Sequence, residues 1–137
     1  MIYIDYKLYE VDGVYPDWLI EFIRCREWVE NALEYSNGTF NIIDIIEGVS
    51  NGELHLWQNN TAAVITQITL YPRKKVIHAF LAGGDVFGVR ELEKQIVSWG
   101  KKQGCHAITL VGRPGWSKSF LTEIGYNSTH VSMIKEI

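Results

Sequence analysis

The stretch from Lys75 to Val111 constrains the fold more than any other part of the sequence. A run rich in strand formers, Lys75 to Ala82, leads through Gly83-Gly84-Asp85 into apolar residues at helical spacing, Val89, Leu92, Ile96 and Trp99. Gln103-Gly104 then stops that pattern, and a second apolar run, His106 to Val111, follows. A strand, a helix of about 15 residues and another strand close as a right-handed crossover, so the two strands are expected to lie parallel with the helix on one face. Ligands of such sheets gather at the carboxyl ends of the parallel strands. Here those ends are two glycine-bearing loops, Gly83-Gly84 and Gly112 to Trp116.

Upstream, Glu53 to Gln58 and Thr61 to Tyr71 flank Asn59-Asn60 and predict a hairpin; Pro72-Arg73-Lys74 turns the chain into the first strand of the crossover. Three antiparallel strands ahead of a parallel pair make the sheet mixed. Before it, Trp18, Phe22, Cys25, Val29 and Ala32 fall at helical spacing behind Asp17, with Asn37-Gly38 as the stop. Ile42, Ile43, Ile45 and Ile46 mark a second, short helix closed around Gly48 to Gly52. The alternation Ile2, Ile4, Tyr6, Leu8 predicts a first strand, Trp116 to Ile124 a short helix, and Tyr126 to Ile137 a last strand. The expectation is an α/β (α+β) fold in the order β-α-α-β-β-β-α-β-α-β, with helices on both faces of a mixed central sheet of about six to seven strands.

At 137 residues and 47% hydrophobic composition, with no linker or repeat, one domain over 1–137 is expected. No window approaches the ~18–20 apolar residues of a membrane span, and the N-terminus lacks the pattern of a signal peptide, so a soluble cytoplasmic protein is expected. The balance of 13 Lys+Arg against 16 Asp+Glu, net −3, argues against nucleic acid or an acidic membrane as partner. Cys25 and Cys105 read as two thiols, not as a disulfide scaffold or zinc module. Cys105 and His106 would point to opposite faces of a strand and cannot share a metal, so no metal site is predicted.

The segments Thr69-Leu-Tyr-Pro-Arg-Lys-Lys-Val, Phe80-Leu-Ala-Gly-Gly, Trp99-Gly-Lys-Lys-Gln-Gly-Cys, Gly112-Arg-Pro-Gly-Trp and the terminal Ile-Gly-Tyr stretch ending Ile134-Lys-Glu-Ile together resemble the GNAT (Gcn5-related N-acetyltransferase) superfamily, more narrowly its small phage and prophage relatives. The resemblance implies acyl transfer from acetyl-CoA or another acyl-CoA to an amine on a small molecule or protein. It implies a cofactor site where the predicted fourth strand meets the third helix, at Leu81, Ala82, Gly83, Gly84, Gly88 and Val89. The chain departs from the family in two places. Ala82-Gly-Gly-Asp-Val-Phe-Gly lacks the usual glycine register and sets Asp85 where a pyrophosphate would lie, and Leu121 stands where many members carry the tyrosine that protonates the leaving thiolate. A fold without chemistry, as a phage structural or protein-interaction module bound to a phage or host protein, is therefore a second expectation, with a virion-associated location and a homodimer as further ones.

Among single residues, Gly83-Gly84 either allows a tight turn or also admits an anion at the helix start. Arg113 is a candidate charged partner and Trp116 a flat apolar wall for the same ligand. For a general base the candidates are His78 and Glu53, with His55 beside them; the first reading of His78 is a partly buried imidazole that packs and hydrogen-bonds, and the second is the base. Tyr126 is either a core aromatic or a proton donor. Trp28, off the main stripe of its helix, either widens the core face or meets a partner.

Overall fold

The computed structural model describes residues 2–112, 115–116 and 119–137. A 3-10 turn, Tyr6–Tyr9, precedes helix α1 (Asp17–Leu33) and helix α2 (Ile42–Asn51). Strands β1 (His55–Gln58), β2 (Ala62–Leu70) and β3 (Lys75–Gly84) follow, then helix α3 (Val86–Lys102), strand β4 (Ala107–Leu110) and a closing 3-10 turn, Phe120–Ile124. The sheet runs β1-β2-β3-β4, antiparallel across the first two pairings and parallel between β3 and β4, as the crossover requires.

The helices form where the sequence supplies both a stripe and an end signal. Leu19, Phe22, Cys25 and Val29 bury one face of α1, and Asn37 and Gly38, both at positive φ, turn the chain after it. In α2, Asn41 and Asp44 exchange side-chain and backbone hydrogen bonds as a capping box (3.1 and 2.9 Å), and Gly52 at φ 82° ends the helix. Two apolar clusters result from this layering. Leu19, Phe22, Val29, Ile45, Ile46, Ile65 and Leu81 pack between α1, α2 and one face of the sheet. Ala62, Val64, Ile77, Leu92, Ile96, Phe120 and Leu121 pack between α3, the closing turn and the other.

Four expectations are corrected. The sheet has four strands among the described residues, not six to seven. The predicted first strand is absent because the Asp5 carboxylate accepts the Lys7 N–H (3.1 Å) and starts the 3-10 turn instead. That segment is held by Arg26, which reaches the Tyr6 hydroxyl (2.9 Å) and the Ile2 carbonyl. The predicted last strand is likewise unpaired: 127–137 forms no ladder, and Val131 and Met133 stay 86% and 89% exposed. The predicted helix Trp116 to Ile124 shortens to the 3-10 turn, capped by Ser119 and ended by Gly125 at φ 101°; Ser117 and Lys118 lie outside the described residues.

The sheet carries one irregularity, close to the carboxyl end of β3. Ile65 pairs with Leu81 but Thr66 with Ala79, so Phe80 is an extra residue on β3, a β-bulge. The bulge shifts the alternation of side chains. Ile77 and Ala79 face α3, and beyond the bulge it is Ala82 that does so, while Phe80 and Leu81 face α1.

Candidate functional site

Beside that bulge the sheet forks. β3 is ten residues long and β4 four, and they pair only from Val76/Ala107 to Ala79/Leu110. From Phe80 to Gly84 the β4 side of β3 has no partner strand among the described residues. The Asp85 N–H donates to the Thr61 carbonyl (3.0 Å). Since the ladder alternates, Gly83 and Leu81 also direct their peptide groups at β2, and Ala82 and Gly84 direct theirs away from it, into the gap.

A cavity of about 770 Å³ occupies the fork and is walled from both faces of the sheet. On one side stand Trp28, Ala32, Tyr35 and Phe40 from the end of α1 and the loop after it; on the other, Val89, Glu93, Leu121 and Tyr126. Phe40 and Phe80 pack with ring centroids 5.3 Å apart, and His78 stacks on Phe80 at 6.0 Å. The charged lining among the described residues is Glu34 and Glu93, with no Lys or Arg.

Two hydrogen-bonded pairs stand at this lining. His78 Nδ1 meets the Thr109 hydroxyl on the paired strand at 2.9 Å, and burial pushes the imidazole pKa below 6.5. At neutral pH the ring is therefore uncharged. The Tyr126 hydroxyl donates to Glu93 Oε1 (3.2 Å); burial first, and the Glu93 carboxylate second, hold its pKa well above that of a free phenol.

Of the residues singled out in the sequence, His78, Leu81, Ala82, Gly83, Gly84, Val89, Trp116 and Tyr126 all line this one cavity. Glu53 does not: it is exposed ahead of β1, its N–H taken by Asn51 Oδ1 (2.9 Å). His55 faces α3, its ring 4.8 Å from Trp99, with Nδ1 buried and unpartnered. Gly88 is packed on the β1–β2 turn, where an added Cβ would meet the Thr61 hydroxyl and, at 2.8 Å, the Ala62 Cβ. Arg113 lies outside the described residues. Trp28 walls the cavity, and its carbonyl abuts Gly83, where an added Cβ would come within 2.5 Å. Glu93 is a site residue that the sequence reading missed, although a carboxylate on the Val89–Leu92–Ile96 stripe is a visible signal.

The end of the cavity at α3 is less open than the glycines suggested. Asp85 is the N-cap of α3, and its carboxylate accepts the Gly88 N–H at 2.7 Å. The Gly88 carbonyl in turn accepts from Asn59 Nδ2 at 3.0 Å. The helix start is thus capped by the chain itself.

No family model matches the sequence, and no curated protein matches it. Solved structures do. An aminoglycoside acetyltransferase from an uncultured soil metagenomic sample, in complex with trehalose, matches with a TM-score of 0.62 at 10% identity, over 86% of this chain and 89% of that one. A Trypanosoma brucei acetyltransferase matches at 0.56 and 12% identity, over 69% and 77% of the two chains. A predicted acetyltransferase of Clostridium acetobutylicum, solved with acetyl-CoA, matches at 0.55 and 13% identity, over 69% and 71%. What the chain shares with these proteins is the fold, an acetyltransferase-like α+β fold. Within the described residues no helix is long and apolar enough to cross a membrane, and no cluster of three or more His, Cys, Asp or Glu is placed to hold a metal ion.

Proposed function

We propose that this protein is an acyl-CoA-dependent N-acyltransferase whose site is the fork between β3 and β4. The observation that carries the reading is the fork itself. An apolar slot of about 770 Å³ beside the peptide groups of Ala82 and Gly84 suits a slim arm carrying amides, which pairs with β3 as an added strand would. The arm of an acyl-CoA has that chemistry. At the phosphate end the fit is poorer, because Asp85 already occupies the Gly88 N–H.

Acyl-CoA supplies an activated acyl group: the amine nitrogen forms the C–N bond as the C–S bond breaks. The chain's residues do the rest. The peptide N–H of Ala82 binds the arm and orients the carbonyl beside the bulge. His78, neutral and hydrogen-bonded through Nδ1 to Thr109, accepts the proton lost by the amine at Nε2. Tyr126, kept protonated, is the phenol that lines the same cavity and can return a proton to sulfur, the task Leu121 cannot perform. Glu34 and Glu93 give the lining a negative charge that suits an amine acceptor.

A second reading, a GNAT-like module of phage origin that binds a phage or host protein without chemistry, is favoured by Leu121 and by the Asp85 cap. Thermal unfolding with acetyl-CoA, CoA and longer acyl-CoAs tells the two apart. A ligand at ~100 times its dissociation constant adds about 2.7 kcal/mol and raises the midpoint by several degrees. A shift larger for one acyl-CoA than for CoA supports the transferase; no shift at millimolar ligand removes it and leaves the binding module.

A further inference from the structure

We infer that the donor is recognised through its acyl-pantetheine arm alone, and that its nucleotide diphosphate contributes nothing to affinity. The inference rests on the transferase reading and is carried by three features at the α3 end of the cavity. First, the helix N-terminus, the natural seat for a diphosphate, holds a resident carboxylate. Asp85 accepts the Gly88 N–H at 2.7 Å, and its own N–H is spent on the Thr61 carbonyl at 3.0 Å. An anion arriving there meets a like charge and finds the Gly88 N–H already taken.

Second, the first turn of α3 is fastened down and cannot open a cradle. Asn59 bridges it to the hairpin, donating to the Gly88 carbonyl at 3.0 Å while its Oδ1 accepts the Thr61 and Ala62 N–H groups at 3.0 and 2.9 Å. Gly88 is consumed by this contact: a Cβ there would stand 2.8 Å from the Ala62 Cβ. The glycine that suggested room for a ligand instead makes room for the β1–β2 turn.

Third, the charges that the described residues bring to the site have the wrong sign for phosphate. Glu34 and Glu93 are the charged groups of the described lining, and Arg90, the cation in the early turns of α3, lies over the Phe120 ring at 5.8 Å. By contrast the stretch beside Ala82 and Gly84 offers backbone peptide groups among Trp28, Phe80 and Leu81 for amide pairing, which is what an acyl-pantetheine arm requires. That arm is common to acyl-CoA and to acyl carrier proteins.

Isothermal titration of the full chain with acetyl-CoA, S-acetylpantetheine and adenosine 3′,5′-diphosphate tests this. The expected result is an S-acetylpantetheine affinity within about threefold of acetyl-CoA and no binding of the diphosphate nucleotide. Acetyl-CoA binding tighter by about tenfold or more overturns the inference alone and leaves the transferase reading standing. Binding of neither thioester overturns both. Asp85→Ser keeps a side-chain cap but removes the charge, and should tighten acetyl-CoA about fivefold, the worth of one unit-charge contact in water, while leaving S-acetylpantetheine unchanged. An unchanged ratio for that variant overturns the role given to Asp85. An acetylated carrier protein as a fourth titrant identifies the source: affinity above that of S-acetylpantetheine assigns a carrier, and no gain assigns CoA.

Discussion

His78 and His55 show how the same residue type is set to different tasks by what surrounds it. Both are held below the ordinary histidine pKa by burial, His55 with the Thr66 backbone opposing the shift. His78 reaches Thr109 and lines the cavity, whereas His55 packs on Trp99 with an unpartnered Nδ1. Because the neutral form of His78 is the base, kcat/KM should stay level as pH falls from 8 to about 6.5 and drop only below that, as the depressed pKa is crossed. His78→Gln should lower the rate about 100-fold or more without weakening thioester binding; a rate within a few-fold of wild type would remove His78 as the base. The two histidines also bear on stability. An unfolded histidine takes a proton near pH 6.5 and these folded ones do so only at lower pH, so stability is full above about 6.5 and is lost as pH falls through the lowered values. Denaturant titrations at pH 7.5 and 5.5 should show that loss, and His55→Phe should reduce it; a variant with the same pH dependence would show that His55 is not its source.

At the scale of elements, the crossover was legible because its signals are local. Strand-forming runs, a helical stripe and glycine stops bracket β3, α3 and β4, and each was placed to within a few residues. The bulge left no comparable signal, since Val76-Ile77 is an equally apolar consecutive pair on the same strand and pairs without one. The terminal segments misled for an opposite reason. Alternation in Ile2–Leu8 promises a strand, as does the run Tyr126 to Ile137, but a strand also needs a neighbour, and one hydrogen bond from the Lys7 N–H to Asp5 was enough to favour a turn at the first. Glycines were the least legible of all, since the sequence does not say what they approach. Gly88→Ala tests that reading: the gain in helix propensity of up to ~1 kcal/mol should be outweighed by the clash with Thr61 and Ala62, for a net loss of about 1–2 kcal/mol in chemical denaturation. Increased stability would mean the contact yields and Gly88 is free for another purpose.

Across the whole molecule, two apolar clusters sandwich a four-stranded sheet, which opens where β4 stops short of β3. The sequence located that opening through its two glycine loops but not its far wall. Trp28, Tyr35 and Phe40 reach it from a helix end and loop about forty residues or more earlier, a meeting that no local pattern records. The 127–137 segment, by contrast, adds little to either cluster. Its removal should leave the unfolding midpoint within about 1 °C, and a fall of several degrees would show that it packs. Binding of an acyl thioester in the fork can be followed residue by residue by titrating isotope-labelled protein with acetyl-CoA and with S-acetylpantetheine and recording backbone amide resonances. The largest shifts should fall on Phe80 to Gly84 and on Tyr126. Shifts confined to other surfaces, or none at millimolar ligand, would contradict binding there.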